Sequence, residues 1–329
     1  MKPVSRKHMN KTIGNIGIGI TLSLVLLCTG IPAVNAAFPD VGQSHLHYIA
    51  VNYLNDNSIA QGYSDGDFHP EDMIQRAEAL KIILVSQGLT PSSTTETGFT
   101  DVTADDWFVG YVAKAKSRQI IQETSDGLFN PARNITRAEF IKMLLLANGF
   151  TGGTWGSTQM FSDVPTGAWF ASYMNYAGKA GLLQKDQDNN LYPSQEMTRG
   201  EVAETIYFLY LIQNRANNSL LLAEADKHMA HLEYNLSLNN LVTAKKAAGI
   251  FVSITQQTYR NNPADKQSLG KAKLARAYDF LINGKIAKEH NNITRGEAWE
   301  NLAKMKADEA KQIDSATSTT ANSIETMTE

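Results

Sequence analysis

The sequence has almost no cysteine, since Cys28 is the only one in 329 residues. A single thiol cannot form an intramolecular disulfide framework or supply the paired cysteines of a zinc ribbon. An excess of basic residues is also lacking, because 30 Lys and Arg face 33 Asp and Glu. The formal net charge of −3 argues against a nucleic-acid partner that would be bound by a broad basic surface.

Long hydrophobic runs are scarce, and the clearest one lies near the N-terminus, at residues 16–28. It follows four cations and no acidic residue, and it precedes the small-residue sequence Val34-Asn35-Ala36. This order predicts a secretory signal peptide that is cleaved after Ala36. The run is shorter than the roughly 20 residues of a membrane-spanning helix, although an uncleaved anchor is the alternative. Cleavage would remove the four cations and Cys28, change the charge from −3 to −7, and leave no membrane span.

Sequence motifs of catalysis are missing as well. The chain has no GxSxG, P-loop, HExxH or dinucleotide-binding pattern. We therefore predict no enzymatic activity, no catalytic residue, no cofactor and no metal. Glu224, His228 and His231 have a helical spacing that could hold a metal ion, but histidines exposed on a helix are the commoner explanation.

What the sequence does contain is one pattern in three copies. Each copy begins with Phe-x-Asp-Val, passes through a loop with a proline, and reaches an arginine 38 residues after the Phe. Successive copies are offset by 61 and 62 residues. The copies start at Phe38, Phe99 and Phe161, and their arginines are Arg76, Arg137 and Arg199. This register indicates tandem repeats of one structural unit.

Each copy has the pattern of a helix, a loop and a second helix. The second helix is predicted to begin at Thr-Arg-Ala-Glu, because Thr136 and Glu139 have the spacing of a capping box. An apolar series with helical spacing follows, for example Phe140, Met143 and Leu144.

These copies resemble S-layer homology domains over residues 38–212, a little more than half of the chain. The resemblance rests on the Phe-x-Asp-Val start, the Trp-Phe pairs at 107–108 and 169–170, the Asp-Gly-x-Phe-x-Pro loop and the Thr-Arg-Ala-Glu helix start. It implies a mainly α fold with three tandem helix-loop-helix repeats in a pseudo-threefold arrangement. It also implies a secreted protein held non-covalently in the cell wall, S-layer or cell surface. The ligand would be an anionic, often pyruvylated, secondary cell-wall polysaccharide or a peptidoglycan-linked glycan.

The three arginines are the main candidates for binding that polysaccharide. A capping box explains the Thr and the Glu but not the Arg, because a cation in the first helical turn opposes the helix dipole. Free backbone N–H groups at the helix start, together with the guanidinium, would form a site for a carboxylate. A structural salt bridge is the alternative for Arg76, Arg137 and Arg199.

The aspartates of Phe-x-Asp-Val and two tryptophans are further candidates for polysaccharide binding. Asp40, Asp101 and Asp163 are expected to cap the first helix of each repeat, and carboxylates also bind sugar hydroxyls. Trp107 and Trp169 either stack on a sugar or fill the core between repeats, and the core is the expected place.

Repeat 1 departs from this pattern. Leu46 is aligned with the two tryptophans, His45 and His47 flank it, and Gln75 replaces the capping Thr. We therefore expect its binding surface to be weaker or to have another specificity.

The chain after about residue 217 predicts a small bundle of three or four helices. The third of these helices is expected over residues 264–283, ended by Gly284, and the fourth over 294–313. The bundle is interpreted as an interaction or structural module with a possible protein partner. The alternatives are a wall-modifying enzyme with paired acids in 215–313, or a structural subunit of an S-layer.

The predicted domains are a signal peptide at 1–36, three repeats at 37–98, 99–160 and 161–214, a helical domain at 215–313, and a disordered tail at 314–329.

Overall fold

The computed structural model describes residues 37–122, 126–153 and 155–328, so the predicted signal peptide lies outside the described residues. Their secondary structure is helical with isolated bridges and no strand, which confirms the predicted mainly α fold. The repeats supply α1 Tyr48–Asp56, α2 Arg76–Ser86, α3 Val109–Ser117, α4 Arg137–Ala147, α5 Ala171–Ala180 and α6 Arg199–Gln213. The later helices are α7 Asn218–Ser237, α8 Leu241–Asn261, α9 Lys266–Glu289, α10 Ile293–Ile313 and α11 Ser318–Thr326.

The second helix of every repeat begins at the arginine that the sequence indicated. In α4 and α6 a capping box is present, with Thr136 accepting from the Glu139 N–H and Thr198 from the Glu201 N–H. The first helix of each repeat begins eight residues after the aspartate that was expected to cap it, at Tyr48, Val109 and Ala171. In repeat 2 it starts at Val109, so Trp107 lies in the preceding loop and only its neighbour Phe108 is buried.

Three backbone hydrogen bonds close a ring around the centre of the repeats. The Ile74 N–H donates to the Met197 carbonyl (3.0 Å), the Met197 N–H to the Ile135 carbonyl (3.1 Å), and the Ile135 N–H to the Ile74 carbonyl (3.1 Å). Each repeat therefore donates to one neighbour and accepts from the other. This is the contact pattern that a pseudo-threefold arrangement requires.

The aspartates of Phe-x-Asp-Val do not cap the first helices, so that expectation is wrong. Asp101 instead accepts from the N–H groups of Phe129 (2.8 Å) and Asn130 (2.7 Å), and Asp40 and Asp163 bind the aligned loops in the same way. Asn130 has a left-handed backbone with φ 58°, as have the aligned residues in the other repeats. A non-glycine residue pays about 1–2 kcal/mol for this conformation, and hydrogen bonds to a charged carboxylate offset that cost.

The helices that follow the repeats form a second core of their own, with Phe251 and Tyr278 among its fully buried side chains. Helix α9 continues through Gly284 to Glu289, so this glycine does not end the helix as expected. It permits close packing instead, because a Cβ there would lie 2.9 Å from Cγ of Glu300 on α10.

The predicted disordered tail is also wrong. Residues 318–326 form α11, and Ala321 and Ile324 are buried in the second core. Most of this segment is polar, so its two buried apolar positions, three residues apart, do not stand out in the sequence. Among the helices of the described residues, none has both the length and the apolarity needed to cross a membrane.

We predict that Asp101→Ala lowers the free energy of unfolding by about 2 kcal/mol, because it leaves two loop N–H groups without their charged acceptor. Asp105→Ala, at an exposed position four residues later, is the matched control and should change stability by less than about 0.5 kcal/mol. Urea denaturation of both variants measures the difference, and equal stabilities would contradict the assigned role of Asp101.

Candidate functional site

The starts of α2, α4 and α6 are joined to neighbouring repeats through the backbone. The Arg76 N–H donates to the Arg133 carbonyl (2.9 Å) and the Ala77 N–H to the Pro131 carbonyl (3.1 Å), both in repeat 2. Arg137 and Arg199 make the equivalent bonds to repeats 3 and 1. The free backbone N–H groups that we expected at these helix starts are therefore already occupied, and that part of the expected anion site is wrong.

The arginine side chains point into the same loops. Arg199 is only 5% exposed, its Nε donates to the Phe68 carbonyl (2.9 Å), and its guanidinium lies 4.3 Å from the ring centre of Tyr63. Arg137 donates to the Leu191 carbonyl and to Glu201, both at 2.9 Å. These contacts show that the arginines hold adjacent repeats together.

The N–H groups of the Arg76 side chain have fewer hydrogen-bond partners than those of Arg137 and Arg199. Its guanidinium lies 5.0 Å from the Phe129 ring and 3.7 Å from Glu139, but its buried Nε has no hydrogen-bond partner among the described residues. Burial lowers the pKa of Lys142, and the nearby Arg76 charge lowers it further. Two cations thus lie close together in a partly desolvated place, where a bound anion would be favourable.

The tryptophans are exposed, which overturns their expected place in the core. Trp107 is 58% exposed and Trp169 is 55% exposed. Each makes an edge-to-face contact with the phenylalanine that follows it, which is the buried Phe108 in repeat 2 and the half-buried Phe170 in repeat 3. The Lys81 ammonium lies 5.7 Å from the Trp107 ring, and the Lys142 ammonium lies 5.4 Å from the Trp169 ring. Each pair consists of a tryptophan from one repeat and a lysine from the repeat before it.

We call these places the 1–2 junction (Trp107, Lys81) and the 2–3 junction (Trp169, Lys142). An exposed indole face beside a cation can stack on a sugar ring and attract a carboxylate. Neither lysine is among the site residues predicted from the sequence. Their signal was present in the register of the repeats, because each lies five residues after the arginine of its own helix.

The third place, the 3–1 junction, has a different composition. Leu46 stands where the other junctions have tryptophan, and Glu204 stands where they have lysine. His47, aligned with Phe108 and Phe170, is buried, and its Nδ1 lies 3.0 Å from Glu204 Oε1. A Cβ on Gly200 would lie 2.3 Å from the His47 ring. Repeat 3 therefore reads Thr-Arg-Gly-Glu because this histidine fills the space of the usual alanine side chain.

Glu224, His228 and His231, for which no metal ion was predicted, lie on α7 in another environment than the exposed helix face that was expected. His228 and His231 are buried rather than exposed, and His228 Nε2 lies 3.1 Å from the Tyr207 hydroxyl, which also donates to Glu224 (2.8 Å). Burial lowers the pKa of His228 to about 3 and that of His231 to about 4. Both rings are thus neutral at pH 7, and in the described part of the chain no group of three ligands is placed to hold a metal ion.

Comparison with known protein families agrees with this geometry. The model of the S-layer homology domain matches residues 37–80, 98–141 and 161–203. The chain carries three S-layer homology domains. Each match contains the aspartate, the loop and the helix-start arginine described above, so the resemblance drawn from the sequence is confirmed.

Curated relatives include proteins of the bacterial surface. The surface-layer 125 kDa protein of Lysinibacillus sphaericus is 31% identical over 169 residues, which cover 50% of this chain and 14% of that protein. An uncharacterized cell wall amidase of Bacillus anthracis is 26% identical over 201 residues, 59% of this chain and 36% of the relative. An amylopullulanase of Thermoanaerobacterium thermosulfurigenes is 33% identical over 104 residues, 32% of this chain and 5% of the relative.

The chain thus spans between 5% and 36% of the lengths of these three relatives. The stretch shared with these relatives contains the three repeats. It supports the location predicted from the sequence, and the chain is a secreted protein of the cell surface.

We predict that Gly200→Ala lowers the free energy of unfolding by about 1–3 kcal/mol, although alanine is native at this position in the other two S-layer homology domains. The reason is the clash with His47. Gly249→Ala is the control, because a Cβ on this glycine of α8 meets open space, and it should stabilise the helix by about 0.5–1 kcal/mol. Thermal unfolding of both variants measures the effects. If His47→Ala fails to relieve the cost of Gly200→Ala, the clash is not its cause.

The buried histidines also predict a pH dependence. Their pKa values are lower in the folded chain than the usual 6.5, so the stability that they contribute is complete above about pH 6.5. It should be lost as the pH falls from about 6.5 towards 4, because protonation then favours the unfolded chain. Urea denaturation between pH 7 and 4.5 measures this slope. His228→Gln should flatten it, and an unchanged slope would mean that other groups are responsible.

Proposed function

We propose that the three S-layer homology domains anchor this chain non-covalently to the bacterial cell wall. The ligand would be an anionic secondary cell-wall polysaccharide, with a pyruvate-ketal carboxylate as the expected charged group, or a peptidoglycan-linked glycan. The observation that carries this proposal is the exposed tryptophan beside a lysine at the 1–2 and 2–3 junctions. Aromatic stacking and a local positive charge are together the chemistry that an acidic sugar needs.

The residues divide into two roles in this proposal. Trp107 and Trp169 contact the sugar, with the junction lysines next to them. Arg76, Arg137 and Arg199 place the loops. At the two open junctions, Arg76 and Arg137 direct their remaining N–H groups to the carboxylate, and Arg76 has an unpartnered buried donor. Asp40, Asp101 and Asp163 act as positioning residues, because their carboxylates are engaged by loop N–H groups.

Affinity would come from several modest sites on one repetitive polymer. The attraction must be local to the junctions, because the exported chain is acidic overall. Only moderate sensitivity to salt is therefore expected, since partly buried charges are screened less than exposed ones.

For the helices after the repeats we propose an interaction or structural role without enzymatic activity. A cavity of about 740 Å³ lies between α6 and α8, and none of the described residues that line it is Asp or Glu. Its charged lining consists of Lys179, Arg215, Lys245, Lys246 and Arg260. Glycan cleavage requires a pair of carboxyl groups, so this lining favours binding over hydrolysis.

The test is co-sedimentation of residues 37–329 with cell walls of the producing bacterium, prepared with and without their secondary polysaccharide. The double variant Trp107→Ala, Trp169→Ala should lose wall binding by more than about tenfold, because two stacking platforms are removed. It should keep the stability of the parent chain, since both side chains are exposed. The arginines are less suitable, because their removal also separates the repeats.

Val242→Ala is the matched control, since Val242 is 76% exposed on α8 and lies outside the repeats. It should bind as the parent chain does. Equal sedimentation with both wall preparations, or undiminished binding by the double tryptophan variant, would contradict polysaccharide anchoring at these junctions.

A further inference from the structure

The later helices cover the 3–1 junction. The side chains of Asn235 on α7 and Asn240 at the start of α8 donate to the carbonyls of Gln43 (3.3 Å) and Ser44 (3.2 Å). The Thr243 hydroxyl also donates to the Ser44 carbonyl (3.4 Å). These carbonyls belong to the loop that carries Leu46, so the loop that would present a tryptophan to the ligand is bound to the helical domain.

The charges at the 3–1 junction match this docking. Lys246 on α8 forms an ion pair with Glu204, whose other neighbour is His47. Burial raises the pKa of Glu204, but the contacts with His47 and Lys246 together outweigh burial, so its pKa lies below the ordinary value. A lysine at position 204, as at the other two junctions, would face Lys246 and repel it. Glutamate at position 204, where the other two repeats have lysine, thus stabilises the docking of the helical domain.

Little space remains between the repeats and the helical domain at the 3–1 junction. The cavity there has a volume of about 20 Å³ and is lined by Leu46, Glu204, Tyr207, His231 and Lys246, among others. Such a volume holds about one water molecule and excludes a sugar ring. The ring of His231 fills the junction from the α7 side, and its centre lies 5.6 Å from that of Tyr48 on α1.

From these contacts we infer that the 3–1 junction is a docking surface for the helical domain and not a polysaccharide site. The chain then carries two wall sites, at the 1–2 and 2–3 junctions, and the helical domain is fixed on the remaining side of the repeats. This inference rests on the proposed function for the two open junctions. The closure of the third junction rests on its own contacts.

Stoichiometry tests the inference directly. Wall polysaccharide is released from the producing bacterium, cut to single repeating units, and titrated into residues 37–329 in a calorimeter. We expect two units per chain. Trp107→Ala and Trp169→Ala should each leave one unit bound, and the double variant should bind none. Leu46→Ala should keep two. Three bound units, or a site that survives in the double tryptophan variant, would overturn the inference while leaving wall binding itself intact.

Closure is tested separately, so that a failure of the proposed function can be distinguished from a failure of this inference. Lys246→Glu places a carboxylate against Glu204, and amide hydrogen exchange of residues 43–48 should then become at least about tenfold faster. The reversed pair Glu204→Lys, Lys246→Glu should restore protection. Polysaccharide binding should be unchanged in both variants. Unchanged exchange in Lys246→Glu, or a loss of polysaccharide binding like that of the tryptophan variants, would overturn the inference.

Discussion

Hydrogen bonds between the start of each second helix and the loop of the next repeat hold the three repeats together. A helix start has N–H groups that its own helix cannot satisfy. Here the carbonyls of a neighbouring repeat accept them, for example Pro131 for Ala77 and Pro193 for Ala138. No repeat can satisfy its own helix start in this way, so the three repeats need one another. The guanidinium groups of Arg137 and Arg199 also donate to carbonyls in the loop of the next repeat, and so strengthen the contact between the two repeats.

Because the repeats are joined in this way, the surfaces of interest lie at junctions and not on single repeats. Trp107 comes from one repeat and Lys81 from another, and neither alone offers both an aromatic face and a charge. One junction can therefore change its use without disturbing the others. At the 3–1 junction Leu46, His47, Glu204 and Gly200 replace the common residues together, and the helical domain lies against them. The same architecture then provides both an attachment for a polymer and an attachment for a second domain.

Local sequence patterns predict the structure well where neighbouring residues decide it. The capping box predicts a helix start at Arg137, where α4 begins. Helical spacing predicts a helix over 294–313, and α10 is observed over 293–313. Errors arose where the partner is distant in sequence. Asp101 has the right chemistry for a helix cap, but its partners are 28 and 29 residues away. The aromatic character of Trp107 predicts a place in the core, yet Trp107 lies in a loop outside the first helix. Gly284 resembles a helix end in the sequence, but α9 continues through it because α10 packs against it.

Residue spacing along the chain is enough to predict the repeat register, the mainly helical content and the resemblance to S-layer homology domains. The role of each recurring position of the repeat follows only from the folded chain, since the partners of Asp101, Arg199 and Trp107 belong to other segments. The difference between the three junctions also follows only from the fold. Leu46 and Glu204 are 158 residues apart in the sequence, and only folding brings them together beneath Lys246. Packing of the helical domain against Leu46 and Glu204 then closes the 3–1 junction, and residue spacing alone does not show this burial.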